Sequence, residues 1–231
     1  MRILITAGPT REPIDLVRYI SNRSSGKMGV ALAMAALSTS LQGGRPWPLL
    51  TLEKTADGDN RQSHLQHSVT MICGPINLVV PIGVSKIEVE TSAQMHQAVL
   101  QELPRHDLLI MAAAVADYRP KQVFDGKLPR VAGSVLELEP TVDIIADAAK
   151  HKRPDQRIVG FSLESEGNQE RARQKMLQKS IDLMVYNPIA TMDSDQIECV
   201  LFYPDGRTET LPCRKKGELA DILIRRAVDL F

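Results

Sequence analysis

The residues best suited to chemistry lie in four short runs. The first is Ser24-Ser-Gly-Lys-Met-Gly29, which opens the helical pattern Val30–Leu37 after the apolar run Arg2–Gly8 and a long intervening loop. A small, glycine-containing turn at a helix start presents backbone N–H groups and the positive end of the helix dipole to an anion, usually phosphate. The same turn also serves close packing of strand against helix. It lacks the GxxxxGK[ST] spacing of a nucleotide P-loop. It resembles a dinucleotide fingerprint with Ser24 in place of the first glycine, but about fifteen residues separate it from its strand, and the acid expected about 20 residues later would fall near Glu53. The second run, Met111-Ala-Ala-Ala-Val-Ala-Asp-Tyr-Arg119, ends an apolar strand in small residues that let a ligand approach the backbone. Asp117 follows, able to accept a hydrogen bond, hold a metal or cap a turn. The third, Asp125-Gly-Lys-Leu-Pro-Arg130, is a loop carrying two cations, either a mobile cover over a transition state or a solvated loop. In the fourth, Lys175 and Lys179 stand four apart on one helix face, able to reach one anion or simply to face water.

Other chemistries find less support. His64, His67, His96, His106 and His151 show neither HxxxH nor HExxH spacing, and each reads as a surface residue. There is no GxSxG nucleophile turn. Cys73, Cys199 and Cys213 are scattered, which suits a reducing cytoplasm and ordinary thiols. The 28 basic and 28 acidic residues balance, so bulk charge points to neither nucleic acid nor an anionic membrane. No apolar run approaches the ~20 residues of a membrane span, and no signal-peptide core precedes the first strand. The chain reads as cytoplasmic, and its 231 residues, 43% hydrophobic, are enough for a good core.

Short apolar runs alternate with helical patterns. Strands are expected at Arg2–Ala7, Ser68–Cys73, Lys86–Glu90, Asp107–Ala113, Arg157–Ser162 and Asp182–Tyr186; helices at Ser25–Ser38, Ser92–Leu103, Asp143–Lys150 and Gln169–Ser180. Met95, Ala98, Val99 and Leu103 share a face of the second helix, with Thr91 or Ser92 as its cap. Nearly continuous apolar strands suit a parallel sheet covered on both faces. The expected fold is α/β: a three-layer, doubly wound, mostly parallel sheet, its ligand crevice at the carboxyl ends of the strands. Gln196–Tyr203 and Arg207–Leu211, joined through Asp205-Gly206, read as a hairpin that extends the sheet or joins an oligomer contact. A final helix spans Gly217–Phe231, with Leu219, Ile222, Leu223, Ala227 and Leu230 on one face. Residues 39–65 interrupt the pattern as a mobile insertion in a single domain, and deleting its polar part is expected to leave folding intact.

Together these runs resemble the phosphopantothenate–cysteine ligase family. The resemblance rests on Ile5-Thr-Ala-Gly-Pro-Thr-Arg-Glu-Pro-Ile-Asp15, Val17–Asn22, Ser24–Gly29, Met71-Ile-Cys-Gly-Pro75, Val89–Thr91, Ala112–Arg119, Val159-Gly-Phe161, Ala172–Lys175 and Asp182–Asn187, and extends over nearly the whole chain outside the insertion. It implies a Rossmann-like fold and the joining of 4'-phosphopantothenate to cysteine through an acyl-cytidylate, with release of pyrophosphate and then CMP in coenzyme A synthesis. It implies catalytic roles for Asn22, which holds and helps form the acyl-cytidylate, and for Lys127, the flap lysine needed for cysteine attack. Nucleotide contacts fall on Gly8, Ser24, Gly26, Gly29, Met111, Ala112, Ala113, Asp117, Lys127, Asp143, Ile144, Phe161, Lys175 and Lys179; substrate contacts fall on Asn22, Ala113, Ala114 and Asp117. Mg²⁺ is expected with CTP, without a dedicated protein metal cage. A homodimer is expected, with neither nucleic acid nor membrane as partner. No flavin is expected in this chain: many bacterial relatives carry an N-terminal flavin-dependent decarboxylase, which is here expected to be a separate protein or to have been removed.

The flap departs from the family's common Lys-x-Lys-Lys. Here it reads Lys127-Leu-Pro-Arg130, so Pro129 removes the middle lysine and stiffens the loop. Two other function classes remain: a nicotinamide-dependent oxidoreductase, and a catalytically weak relative acting as a binding module. The displaced glycine turn, the missing ribose acid and the absence of a YxxxK pair disfavour the first. Only the altered flap and the insertion favour the second.

Overall fold

The computed structural model describes residues 1–39, 67–131, 133–165, 168–189 and 194–231; the 39–65 insertion lies, beyond Thr39, outside the described residues. The main sheet has eight strands: β1 (Arg2–Ala7), β4 (Ser68–Cys73), β5 (Val84–Glu88), β6 (Leu108–Met111), β9 (Arg157–Glu164), β10 (Leu183–Pro188), β11 (Gln196–Phe202) and β12 (Thr208–Lys215). Their spatial order is β12-β11-β10-β9-β6-β1-β4-β5. From β10 to β5 every pairing is parallel, and the β11–β12 hairpin adds the antiparallel edge. The hairpin therefore extends the sheet.

Alternation along β1 assigns the two faces. Ile3, Ile5 and Ala7 pack with helices α1 (Lys27–Ser38) and α5 (Lys216–Val228), whereas Leu4 faces Met95 and Val99 of α2 (Ser92–Glu102) and Ile144 of α3 (Ile144–His151). Helix α4 (Gln169–Gln178) covers the hairpin end of the second face through Ala172 and Met176. Burying each such branched or long apolar side chain contributes about 1.5–3 kcal/mol relative to exposing it. Thr91 caps α2 in a reciprocal box with Gln94, an arrangement that stabilises a helix start by about 1 kcal/mol. This is the three-layer, doubly wound α/β architecture expected from the sequence. Element limits move by a few residues: β5 begins at Val84 rather than Lys86, and α1 at Lys27 rather than Ser25.

Two small ladders lie outside the main sheet. Strand β2 (Arg11–Pro13) pairs with β3 (Tyr19–Ser21), and β7 (Tyr118–Pro120) pairs with β8 (Leu138–Pro140). The sequence reading makes these segments loops. Three-residue strands ending in Pro13 or Pro120 carry no readable alternation.

Two histidines correct the surface reading. His106 is buried; its Nδ1–H donates to the Glu102 carbonyl at 2.7 Å, and its Nε2 shares a hydrogen bond with the Thr70 hydroxyl at 2.9 Å. His67 is only 2% exposed, and neither ring nitrogen has a partner among the described residues. Burial pushes the pKa of the His67 imidazolium below its ordinary range. The unfolded chain then binds the proton first, so this contribution to stability is complete above about pH 6.5 and is lost as pH falls. Denaturant midpoints are expected to drop from neutrality to mildly acidic pH, and the slope is expected to flatten in His67→Leu. An unchanged slope would contradict this.

Cys73 and Cys199 are buried, and burial pushes their thiols up to about 11 and about 12, whereas Cys213 is exposed. A thiol reagent at neutral pH is expected to label Cys213 rapidly in the native protein and all three cysteines in denaturant. Rapid native labelling of three thiols would contradict the packing. Among the described residues no helix is long and apolar enough to cross a membrane.

Candidate active site

The chain leaves β1 through α1 on one face and leaves β6 through α3 on the other. Neighbouring parallel strands whose connections diverge in this way open a crevice at their carboxyl ends. Backbone bonds tie its floor together: Ala114 N–H donates to the Gly8 carbonyl at 2.9 Å, and Thr10 N–H to the Ala114 carbonyl at 3.3 Å. The fully buried Thr6 and Thr10 hydroxyls accept from Ala113 N–H at 3.2 Å and Ala116 N–H at 3.0 Å. These bonds hold Ala112–Ala114 at the strand end.

The glycine turn packs closely against this floor. Gly8 and Gly26 both have φ near +75 to +78°, and a Cβ on either would lie 2.5–2.6 Å from Cγ2 of Ile76. A Cβ on Gly29 would lie 2.4 Å from that of Ala7. The turn is therefore a packing device. Helix α1 also starts at Gly26 without a side-chain cap, beside Arg23, Lys27, Ser24 and Ser25, so its positive end opens toward solvent. Packing and anion binding are compatible at this turn.

Three depressions adjoin along the strand ends. The first, about 370 Å³, is lined by Met111, Ala113, Asp117, Asp143, Ile144, Phe161, Lys175 and Lys179, among others. The second, about 190 Å³, shares Ala113, Phe161 and Leu163 with it and adds Ser24, Gly26, Gly29, Ala112 and Ala114. The third, about 360 Å³, shares Ser24 and Ser25 with the second and includes Asn22. Of the residues expected from the sequence, Gly8 and Lys127 line none of these three: Gly8 is buried beneath the turn, and Lys127 stands on an exposed loop.

Each lysine of the first depression meets a carboxylate. Lys175 binds Glu164 at the end of β9; burial alone would raise the Glu164 carboxyl, but Lys175, Ser162 and Arg171 together hold it below its ordinary range. Lys179 pairs with Asp143 at 2.7 Å, while Asp143 also caps α3 by accepting from Ala146 N–H at 3.1 Å. An incoming anion therefore competes with two carboxylates that already hold both cations in place. Asn22 lies one residue past β3, and its Nδ2–H donates to the Val115 carbonyl at 2.8 Å.

Sequence reasoning missed Arg23, Lys27 and Lys216 on the walls of the second depression and Glu164 as the partner of Lys175. Lys216 begins the last helix, and only the fold brings it to the glycine turn; Glu164 and Lys175 sit eleven residues apart on different elements.

Residues 1–42 and 61–230 match the family described as DNA/pantothenate metabolism flavoprotein, C-terminal domain. The coenzyme A biosynthesis bifunctional protein CoaBC of Vibrio cholerae is 34% identical over 230 residues, which cover 96% of this chain and 51% of that protein. The chain spans about half the length of the curated relatives it matches. The crystal structure of the C-terminal domain of a CoaBC protein superposes with a TM-score of 0.75 at 34% identity, covering 99% of this chain and 95% of that one. A Cab2 variant in complex with phosphopantothenate-cysteine shares the fold at 16% identity, with a TM-score of 0.70 and coverage of 99% and 87%.

Proposed function

This chain belongs to the DNA/pantothenate metabolism flavoprotein C-terminal domain family, and we propose that it joins 4'-phosphopantothenate to cysteine, using CTP. The observation that carries this reading is the continuity of the groove. Asn22, the glycine turn, Ala112–Ala114 and the Lys175–Lys179 depression follow one another along the strand ends. A nucleotide and an acid laid end to end need such a groove. The Vibrio cholerae relative is named for coenzyme A biosynthesis, and the Cab2 variant of similar fold holds the conjugate this reaction forms.

The chemistry has two steps. A carboxylate oxygen of phosphopantothenate attacks the α-phosphorus of CTP, and the bond to pyrophosphate breaks. The cysteine nitrogen then attacks the acyl carbon, the carbon–oxygen bond breaks, and CMP leaves. Activation is needed because a free carboxylate is unreactive toward an amine. Negative charge builds up in both steps, and fixed donors aimed at it lower the barrier. Asn22, with one amide hydrogen committed to Val115, has its Oδ1 and second N–H to orient the acyl group. Ser24, Gly26 and Gly29 would receive phosphates at the positive end of α1, with Asp143, Ile144, Phe161, Lys175 and Lys179 around the nucleotide. Among the described residues no cluster of His, Cys, Asp and Glu could hold a metal by itself. Magnesium would enter as part of the substrate MgCTP. The family resemblance further supports a homodimer and a decarboxylase as functional partner.

The test is pyrophosphate release with CTP or ATP, magnesium, phosphopantothenate and cysteine, alongside mass detection of the amide. CTP-dependent amide is expected. A NADH-dependent absorbance change without pyrophosphate would favour the oxidoreductase reading, and neither signal from folded protein would favour a binding module.

A further inference from the structure

The turn between β2 and β3 is bonded to the loop that carries Lys127. Asp15 is 4% exposed, and its side chain is fully buried. One carboxylate oxygen accepts from Val17 N–H at 2.8 Å and Arg18 N–H at 2.7 Å. The other accepts from the Arg18 guanidinium and from Leu128 N–H at 3.0 Å. Arg18 Nη2 also donates to the Leu128 carbonyl at 2.7 Å. On either side, Leu16 N–H donates to the Gly126 carbonyl at 3.2 Å and Phe124 N–H to the Ile14 carbonyl at 3.0 Å. Both peptide groups flanking Lys127 are thus bonded to the turn, although Lys127 itself is exposed. Pro129 restricts Leu128 to extended backbone, so it reinforces the same residue.

The base of the hairpin is fixed independently. Arg11 N–H donates to the Glu90 carbonyl at 2.7 Å, and buried Glu12 accepts from Ser92 N–H at 2.7 Å. Ser21 Oγ donates to the Thr10 carbonyl at 2.8 Å, next to Asn22 and its bond to Val115. The end of the hairpin that carries Asn22 therefore does not depend on Asp15.

We propose that Asp15 and Arg18 form a latch that sets the position of the Lys127 loop, so that Asp15 is a positioning residue for amide formation and not for carboxylate activation. This rests on the ligase reading above. A latch of this kind is a carboxylate shared between two backbone segments, and its loss frees a loop without disturbing the core. A misplacement of about 1 Å can cost about a hundredfold in rate, so a loosened lysine is felt in the step that uses it.

Asp15→Asn puts an amide nitrogen where Leu128 N–H needs an acceptor; Arg18→Lys loses the fork that spans Asp15 and Leu128. Two readouts are taken on each full-length variant: hydrogen exchange of the peptide covering residues 121–131, and amide formed per pyrophosphate released. Exchange is expected to quicken about tenfold or more, as for a freed loop. The amide-to-pyrophosphate ratio is expected to fall about tenfold or more, with pyrophosphate release within about threefold of the parent. Exchange at parental rates in both variants overturns the latch. An unchanged ratio, or amide and pyrophosphate falling in parallel, overturns the positioning role. If Asp15→Asn does not fold, Arg18→Lys decides by the same criteria. A parent chain that makes neither product sinks the ligase reading, while the exchange comparison still decides whether the latch exists.

Discussion

Lys127→Gln is expected to release pyrophosphate within a few-fold of the parent yet form amide about a hundredfold more slowly, the scale on which a lost charge-stabilising donor acts. The expectation follows from where the residue sits. Lys127 lines none of the three depressions, and it stands exposed on a loop whose neighbouring peptide groups are bonded to the β2–β3 turn. A cation placed there need not contribute to building the nucleotide site. The role we propose for it is to oppose the charge that develops as cysteine attacks. Glutamine keeps the length and polarity but removes the charge. Pyrophosphate release and mass-detected amide, measured on one sample, separate the two steps. Full amide yield would remove Lys127 from the mechanism. Because the side chain is exposed, the melting temperature is expected to stay put.

Asn22→Ala is expected to act on the other step. Its side chain is exposed, one amide hydrogen is spent on the Val115 carbonyl, and the rest of the amide is available at the end of the groove beside Ser24. Removing it takes away a fixed donor and acceptor where the acyl group would be activated. Pyrophosphate release is expected to fall about a hundredfold, with amide falling in parallel. Stability is expected to change by no more than ~0.5 kcal/mol plus the loss of one exposed hydrogen bond. Unchanged pyrophosphate release would withdraw the assignment. The first substitution is thus expected to lower the ratio of amide to pyrophosphate and the second to leave it unchanged, a distinction that overall activity alone would not reveal.

Much of the scaffold was legible because its signals are local. The runs Arg2–Ala7 and Ser68–Cys73 are strands from end to end, and Met95, Ala98, Val99 and Leu103 are all buried. Apolar periodicity and capping residues suffice for such elements. The groove was legible at the glycine turn, the small residues after Met111 and the lysine pair. What escaped depends on contacts between distant residues. Asp15 stands in the sequence only as the end of the run Ile5–Asp15, and its role depends on Leu128, 113 positions later, donating to it. The three-residue strands of the two outer ladders carry no period to detect. The polarity of His67 and His106 points to the surface, whereas their burial is set by how β4 and β6 are flanked. The opposed pairs Lys175–Glu164 and Lys179–Asp143 likewise need the fold to bring them together.

In the proposed reaction the carboxylate is activated on the α-phosphorus of CTP and then captured by cysteine. The most direct test uses phosphopantothenate labelled with oxygen-18 in its carboxylate, with CTP, magnesium and cysteine, and mass analysis of every phosphorus-containing product. CMP carrying one labelled oxygen, equimolar with the amide, and unlabelled pyrophosphate are expected. Label appearing in orthophosphate, or amide formed with unlabelled CMP, would contradict it.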